Sequence, residues 1–317
     1  MTDRSGPAAP RLSVIVPTYE RPELLEKTWQ SLAAQTFGDF EVLLVDDASP
    51  GEKTPRKIAE LAARDSRIRA LRLEQNGGPG SARNAAFPLC RGELVALLDD
   101  DDLNEAERFA RQVALLDRRP EIDWVASAVG WIDAAGEVFQ VRPGLIRRGE
   151  LPEDPAALFR LLLLDGNYVP TTSVMMRRSA ARGLHFLEGA RAGEDWFFFL
   201  QLAARGHRLA TFAEPLVRVL RGHDSLMSDK ARTFPDQRRV LREIGRWLEQ
   251  EGRHELAKLL RPATAQQYLR EARYWGGWRA LRLLLRASLV APGAPRLGET
   301  WRWLAELAAT KVRRFGQ

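Results

Sequence analysis

Four consecutive carboxylates, Asp99, Asp100, Asp101 and Asp102, follow directly on an apolar run in residues 94–102, LVALLDDDD. Carboxylates this close repel one another unless a cation sits among them. A hard divalent ion, Mg²⁺ or Mn²⁺, takes oxygen ligands and would fill that role. On the run alone, an acidic helix start is an equal alternative, because Asp favours caps and first turns. Asp46 and Asp47 close a second apolar run, FEVLLV in residues 40–45, and by themselves read as a cap. A third acidic pair, Glu194 and Asp195, opens the aromatic stretch GEDWFFFLQL. Carboxylates there suit the helix dipole. A rigid, buried helix is equally a mount for a general base, and aromatic surroundings can raise a carboxylate's proton affinity by desolvation. Residues 76–81, NGGPGS, lead to Arg83 and Asn84. They lack the Gly-Lys-Ser/Thr ending of a P-loop and match no dinucleotide fingerprint. A glycine-rich helix start can still hold an anion, and Arg83 one turn in could reach a phosphate. Arg221, His223 and Ser225 share a polar loop.

These groups need elements to position them. Residues 12–16 (LSVIV), 40–45 and 94–98 read as buried strands, the first halted by Pro17, which cannot donate to a ladder. Residues 68–73 alternate like a strand with one exposed face. Helical spacing covers residues 24–34, 57–64, 82–87 and 105–116. Alternating strands and helices at this spacing predict a parallel sheet with right-handed crossovers. Ligand sites in such sheets lie beyond the carboxyl ends of the strands, where the run of four carboxylates and Asp46-Asp47 fall. Residues 123–129 and 136–141 form a hairpin around Ala134-Ala135-Gly136, and 152–164 a helix. A loop and strand follow over 167–176, then a helix from Trp196 to Leu202, and a strand entering the polar loop over 217–228.

With 317 residues, 45% hydrophobic and 28% charged, the chain has the composition of a soluble globular protein of one large or two modest domains. The single Cys90 precludes an internal disulfide and fits a reducing compartment. The polar start MTDRSGPAAPR lacks a signal peptide's apolar centre, and no run reaches the ~18 apolar residues of a membrane span. A cytoplasmic chain is expected. The net charge of +6 is uneven, with arginine dominant after Arg232 and the acidic clusters earlier.

Five stretches in order resemble family 2 glycosyltransferases of the GT-A type. They are SVIVPTYERPELLEKTWQSLAAQTFGDFEVLLVDDAS, NGGPGSARNAAF, ELVALLDDDD, GEDWFFFLQLAARG and RGHDSLMS, spread over residues 12–228. The resemblance implies an α/β fold with a Rossmann-like nucleotide-binding half at 12–102 and an acceptor half at 103–228. A disordered N-terminus at 1–11 and a helical region at 229–317 would flank them. It implies that Asp47 hydrogen-bonds the nucleobase, with Pro17, Tyr19 and Glu20 lining the same pocket and Arg83 near base or diphosphate. Asp99-x-Asp101 falls on the DXD position: Asp99 or Asp100 would approach the ribose and Asp101 would ligate Mg²⁺ or Mn²⁺, with the register open by one residue. Asp195 matches the catalytic base, with Glu194 beside it. His223 matches a loop that contacts metal or diphosphate, supported by Arg221. Ala48 stands where the family more often has Gly, which is tolerable if φ there is negative.

The expected reaction is inverting transfer of sugar from a nucleoside-diphosphate sugar, UDP by family habit, to a hydroxyl of a glycan or lipid-linked acceptor in bacterial surface glycan synthesis. Two other classes compete: a nucleotidyltransferase, which would want a glycine- and basic-rich loop where PTYERPE stands, and a degenerate sugar-nucleotide or glycan-binding module. Nucleic acid is not an expected partner, since no reader motif occurs. After Arg232 the chain reads as helices over 235–251, 253–260, 264–275, 278–290 and 300–315. Arg279, Arg282 and Arg286 share one face of the fourth, and Leu281, Leu284, Leu285 and Leu289 lie largely on another. Such helices could simply pack on the catalytic domain or could lie on the inner face of a membrane.

Overall fold

The computed structural model describes residues 9–132, 138–142, 152, 154–220, 230–275, 277–293 and 297–298. Among the described residues nine strands form one mixed sheet in the order β3-β2-β1-β4-β8-β6-β9-β5, with β7 also pairing with β6. The strands β1 (Leu12–Thr18), β2 (Phe40–Asp46), β3 (Ile68–Arg72) and β4 (Leu94–Leu97) pair in parallel. The remaining five strands are β5 (Asp102–Asn104), β6 (Trp124–Ile132), β7 (Val138–Arg142), β8 (Met175–Arg177) and β9 (Leu209–Leu220). The parallel pairing expected of the first four strands is present, and antiparallel pairs of β8 with β4 and of β6 with β8 extend them into a mixed sheet. β6 and β7 pair antiparallel as expected of a hairpin, and its turn at Ala134-Ala135-Gly136 lies outside the described residues.

Alternation along the buried strands assigns each residue to one of two cores. Ile15, Leu43, Val45, Val95 and Leu97 face helices α3 (Gly78–Ala86), α5 (Pro155–Asp165), α6 (Glu194–Ala204) and α7 (Lys230–Gln250). Val14, Val16, Val42, Leu44 and Ala96 face α1 (Pro22–Ala33), α2 (Lys53–Arg64) and α4 (Arg108–Arg118). Strands covered on both faces read as unbroken apolar runs, which is why β1, β2 and β4 stand out. Val240, Leu241, Ile244 and Leu248 of α7 belong to the first core, so the helical region is fused to the sheet domain. The short α8 (His254–Ala257) leads to α9 (Leu260–Trp275) and α10 (Gly277–Val290), which build a third small core around Ala265, Leu269, Ala280 and Leu284.

Three local expectations change. Pro17 lies inside β1 rather than ending it. Ile15 accepts a bond from the Leu98 amide and Thr18 one from the Asp47 amide, so odd residues of β1 face β4 and even ones β2. The β4 pairing ends at Ile15, and Pro17 therefore lacks its N–H where no partner strand remains. Second, β9 begins eight residues earlier than expected; register shifts around Ala128 of β6 absorb Pro215. Third, Ala48 has φ +57°, a left-handed conformation, and so does Glu20 at +55°. The premise that Ala48 would sit at negative φ is thus corrected. A side chain there costs roughly 1–2 kcal/mol, of which Gly's extra unfolded-state freedom takes back about 0.5–1. Ala48→Gly should raise stability in urea denaturation by up to about 1 kcal/mol; a clear loss would contradict that assignment.

Candidate active site

The carboxyl ends of β1, β2 and β4 form one rim. After β4 the chain alternates direction, so its four carboxylates part in pairs. Asp100 and Asp102 are buried, whereas Asp99 keeps 39% and Asp101 17% of their side chains exposed. Thr18 donates its hydroxyl to Asp100 at 2.6 Å, and Thr28 donates to the Asp100 carbonyl at 2.8 Å. Burial lifts the Asp100 carboxyl to about 6, helped by the charges of Asp101 and Asp99 and opposed by Thr18 and Arg21. Asp102 belongs to β5, paired with Val219 of β9, and burial holds its carboxyl well above the carboxylate range. The run is therefore no helix start. Its outward members are Asp99 and Asp101.

Three arginines balance this acid. Arg21 reaches Asp101 at 2.6 Å and Asp100 at 3.3 Å. Arg108 is fully buried beneath the run, donating to Asn104 Oδ1 at 2.5 Å and to the Leu97 carbonyl at 3.0 Å. Burial lowers its guanidinium to about 9 against the attraction of Asp102 and Asp99. Arg83, from α3, is 2% exposed and spans two elements: it donates to Asp99 Oδ1 at 2.5 Å and to Glu194 Oε1 at 3.1 Å. Burial would lower its guanidinium, but the charges of Asp99, Glu194 and Asp195 hold it above its ordinary value. Arg83 is thus an internal tie between the β4 rim and α6 rather than a free guanidinium. A Cβ on Gly80 would lie 3.1 Å from the Glu194 side chain, so glycine lets α3 come this close to α6.

Glu194 and Asp195 open α6 from Gly193, whose φ of +87° a side chain would resist. Behind them the helix is locked. Phe198 stacks on Phe186 at 4.2 Å, Phe199 on Trp124 at 5.3 Å, and Trp196 donates its indole N–H to the Leu162 carbonyl. Burial, then the charge of Asp195, pushes the Glu194 carboxyl up to about 7 despite Arg83. Asp195 is half-buried and its Oδ2 accepts from Asn167 Nδ2 at 2.9 Å and from the Thr171 hydroxyl at 2.5 Å. Asp99 feels the charges of Asp101 and Asp195 together, and Arg83 links it to Glu194, so the strand-end acids and the start of α6 are neighbours.

At the other end of the rim, Asp47 accepts from the backbone N–H groups of Gly77 (2.9 Å) and Gly78 (2.8 Å). It therefore caps α3, not α2, and the glycine-rich turn spends its anion-holding N–H groups on a side chain of the same protein. Burial raises the Asp47 carboxyl against those two bonds. Asp46 accepts from the Ser49 amide, and the Ser49 hydroxyl accepts from the Glu20 amide, drawing the β1 and β2 ends together. Pro17 is buried beside them, while Tyr19 (38% exposed) and Glu20 face outward. Arg221 and His223 lie outside the described residues. Arg21, Asn167 and Thr171 were not singled out from the sequence. Arg21 adjoins Glu20 in PTYERPE, and Thr171-Thr172 is a polar pair set into the apolar stretch NYVPTTSVMM; those were the available signals.

Among the described residues no three His, Cys, Asp or Glu side chains converge where they could hold a metal by themselves. Mg²⁺ asks for less: one or two carboxylates, with substrate phosphates and water completing the shell. Asp101, with hard oxygens on the open side of an acid-rich rim, fits that demand.

A mixed sheet with an acidic rim at its parallel strand ends and a helix-borne carboxylate facing it is the GT-A architecture of sugar-nucleotide transferases. The structure matches that of Staphylococcus aureus TarS residues 1–349 in complex with UDP-GlcNAc with a TM-score of 0.69 at 20% identity, over 97% of this chain and 92% of that one. A mannosyltransferase from Pyrobaculum calidifontis in complex with GDP-Man and Mn²⁺ matches at 0.51 and 21% identity, over 98% and 88% of the two chains. The model of glycosyl transferase family 2 covers residues 13–184, and the chain belongs to that family. It is thus a glycosyltransferase. An uncharacterized glycosyltransferase of Methanocaldococcus jannaschii is 26% identical over 211 residues, 66% of this chain and 70% of that one. A Campylobacter jejuni GalNAc(5)-diNAcBac-PP-undecaprenol beta-1,3-glucosyltransferase is 42% identical over 95 residues, 29% of this chain and 30% of that one. The chain spans 42% of the S. aureus poly(ribitol-phosphate) beta-N-acetylglucosaminyltransferase TarS, at 26% identity over 83% of its own length. No described helix is long and apolar enough to cross a membrane.

Proposed function

We propose that the chain is an inverting glycosyltransferase that moves a sugar from a UDP-sugar to a hydroxyl of a glycan or lipid-linked acceptor during surface polysaccharide synthesis. The observation that carries this reading is the Arg83 tie, which joins the rim acid Asp99 to Glu194, next to Asp195. Donor and acceptor chemistry then meet in one cleft. The UDP-GlcNAc complex of TarS and the acceptors named for the C. jejuni and S. aureus relatives support the choice of donor and acceptor class.

In this reading the base lies over the β1 and β2 ends, bounded by Pro17, Tyr19, Glu20 and Asp47. Asp99 faces the ribose, and the carboxylate of Asp101 faces the diphosphate. Mg²⁺ or Mn²⁺ held by Asp101, with His223, would supply positive charge against the departing diphosphate. Asp195 takes the proton of the acceptor hydroxyl as that oxygen attacks the anomeric carbon. Asn167 and Thr171 hold the Asp195 carboxylate in one orientation, and the aromatic packing behind α6 keeps the mount rigid. A single displacement inverts the anomeric centre.

Thr171→Val tests the orientation role. Loss of a hydrogen bond to a charged group is worth about 1.5–3 kcal/mol, so kcat should fall roughly 10- to 100-fold with donor KM nearly unchanged. A change confined to KM would contradict it. The wider reading is tested by hydrolysis of a panel of UDP-, GDP- and dTDP-sugars with Mn²⁺ and with EDTA. Metal-dependent release of UDP is expected; binding without turnover of any donor would instead favour a degenerate binding module.

A further inference from the structure

The outer face of α10 differs from its expected pattern. Ala280, Leu283, Leu284 and Ala287 pack against α9, as a helical stripe should. Leu285 and Leu289 do not join them. They stay 50% and 83% exposed, and Trp278 is 82% exposed. At about 100° per residue, Leu285, Trp278 and Leu289 fall within about 40° of one another. Arg282, Arg286 and Arg279 continue round the same exposed side, over about the next 80°. No acidic residue occurs anywhere in α10. The Arg279 guanidinium lies 4.1 Å from the centre of the Trp275 ring, and Tyr274 at the end of α9 is 48% exposed. An apolar ridge flanked by arginines, with aromatic rings at one end, is costly in water.

We infer that this face of α10 docks on the surface of an anionic lipid bilayer. The apolar ridge would enter the acyl boundary, and the arginines would meet acidic headgroups while their stems cover the apolar flank. The charge pattern selects the occupant: a second copy of the chain would set these arginines against like charge, and a neutral bilayer would leave them without partners. The face is also placed to matter. Arg270 of α9 donates to the Leu164 carbonyl at the end of α5, and the chain leaving α5 carries Asn167 and Thr171, the partners of Asp195. Docking there would hold the acceptor side of the cleft near the membrane. The docking itself is independent of which donor or metal the site uses.

The test is flotation of the full-length chain with vesicles of phosphatidylcholine alone or mixed with phosphatidylglycerol. Binding to the mixed vesicles is expected, weakening as salt rises. At about 1 kcal/mol per arginine near the surface, the triple change of Arg279, Arg282 and Arg286 to Gln should lower affinity roughly 100-fold. Trp278→Ser with Leu289→Ser should abolish it. Both variants alter exposed side chains, so unchanged thermal midpoints and UDP binding would show that folding and the donor site are intact. Equal binding to neutral vesicles, or binding insensitive to both variants, would overturn the inference. So would a dimer that the Trp278/Leu289 variant dissociates, because the face would then belong to a second copy.

Discussion

Asp195→Asn should lower sugar transfer by roughly 10²–10⁴-fold while the affinity for donor nucleotide stays within about twofold of the native chain. The side chain keeps its shape, and its amide oxygen can still accept from Asn167 Nδ2 and Thr171 Oγ1, so α6 and its aromatic packing are undisturbed. What is lost is the group able to take a proton from the acceptor hydroxyl. Steady-state transfer assays beside titration with UDP separate the two effects. Glu194→Gln is the informative neighbour. Glu194 is buried against Arg83 and ties α6 to the rim, so its replacement should disturb donor-site geometry and stability first. Near-native turnover by Asp195→Asn would remove Asp195 from the mechanism.

Arg83→Met is expected to be the most damaging single change to stability. It leaves Glu194 buried without a counter-charge and frees Asp99, and breaking one side of a buried ion pair costs about 3–5 kcal/mol. The loss should depend on pH. The Glu194 carboxyl sits at about 7 in the folded protein against an ordinary 4.5. Between those values the folded state binds more protons than the unfolded one, so this group's contribution to stability falls as pH rises through the window. Without Arg83 the folded carboxyl should rise further and the window widen. Arg83→Met should therefore lose less at pH 5, where Glu194 is protonated, than at pH 8, as read by urea denaturation at both. Adding Glu194→Gln should restore part of the loss at pH 8. An identical loss at both pH values would show that Arg83 acts by packing alone.

How much of this was legible beforehand depended on where each residue's partners lie. Strands β1, β2 and β4 were readable because burial on both faces writes an unbroken apolar run into the chain itself. The carboxylates at their ends marked the rim for the same reason. β5 was not readable: Asp102–Asn104 is short and polar, and it is a strand only because β9, more than a hundred residues later, pairs with it. The two outward members of the acidic run emerge only once β5 fixes the direction of the chain after β4. Arg83 carried a local signal, its place after a glycine-rich turn, but that signal pointed to a phosphate. Its partner Glu194 is 111 residues away, and no local pattern encodes that contact. Thr171 and Asn167 likewise acquire meaning only when α6 brings Asp195 to them. Ala48 shows the opposite limit. Its residue type argued for negative φ, and the corner where β1 and β2 end imposed the positive value shared with Glu20.

The central claim is that Asp101 serves the donor diphosphate through a divalent ion while Asp195 serves the acceptor. Calorimetric titration of UDP with Mn²⁺ or EDTA, in the native chain, Asp101→Asn and Asp195→Asn, tests it directly. Mn²⁺ should tighten UDP binding in the native chain and in Asp195→Asn, and make little difference in Asp101→Asn. Equal UDP affinity with Mn²⁺ and EDTA in the native chain, or a metal effect that survives Asp101→Asn, would contradict the account.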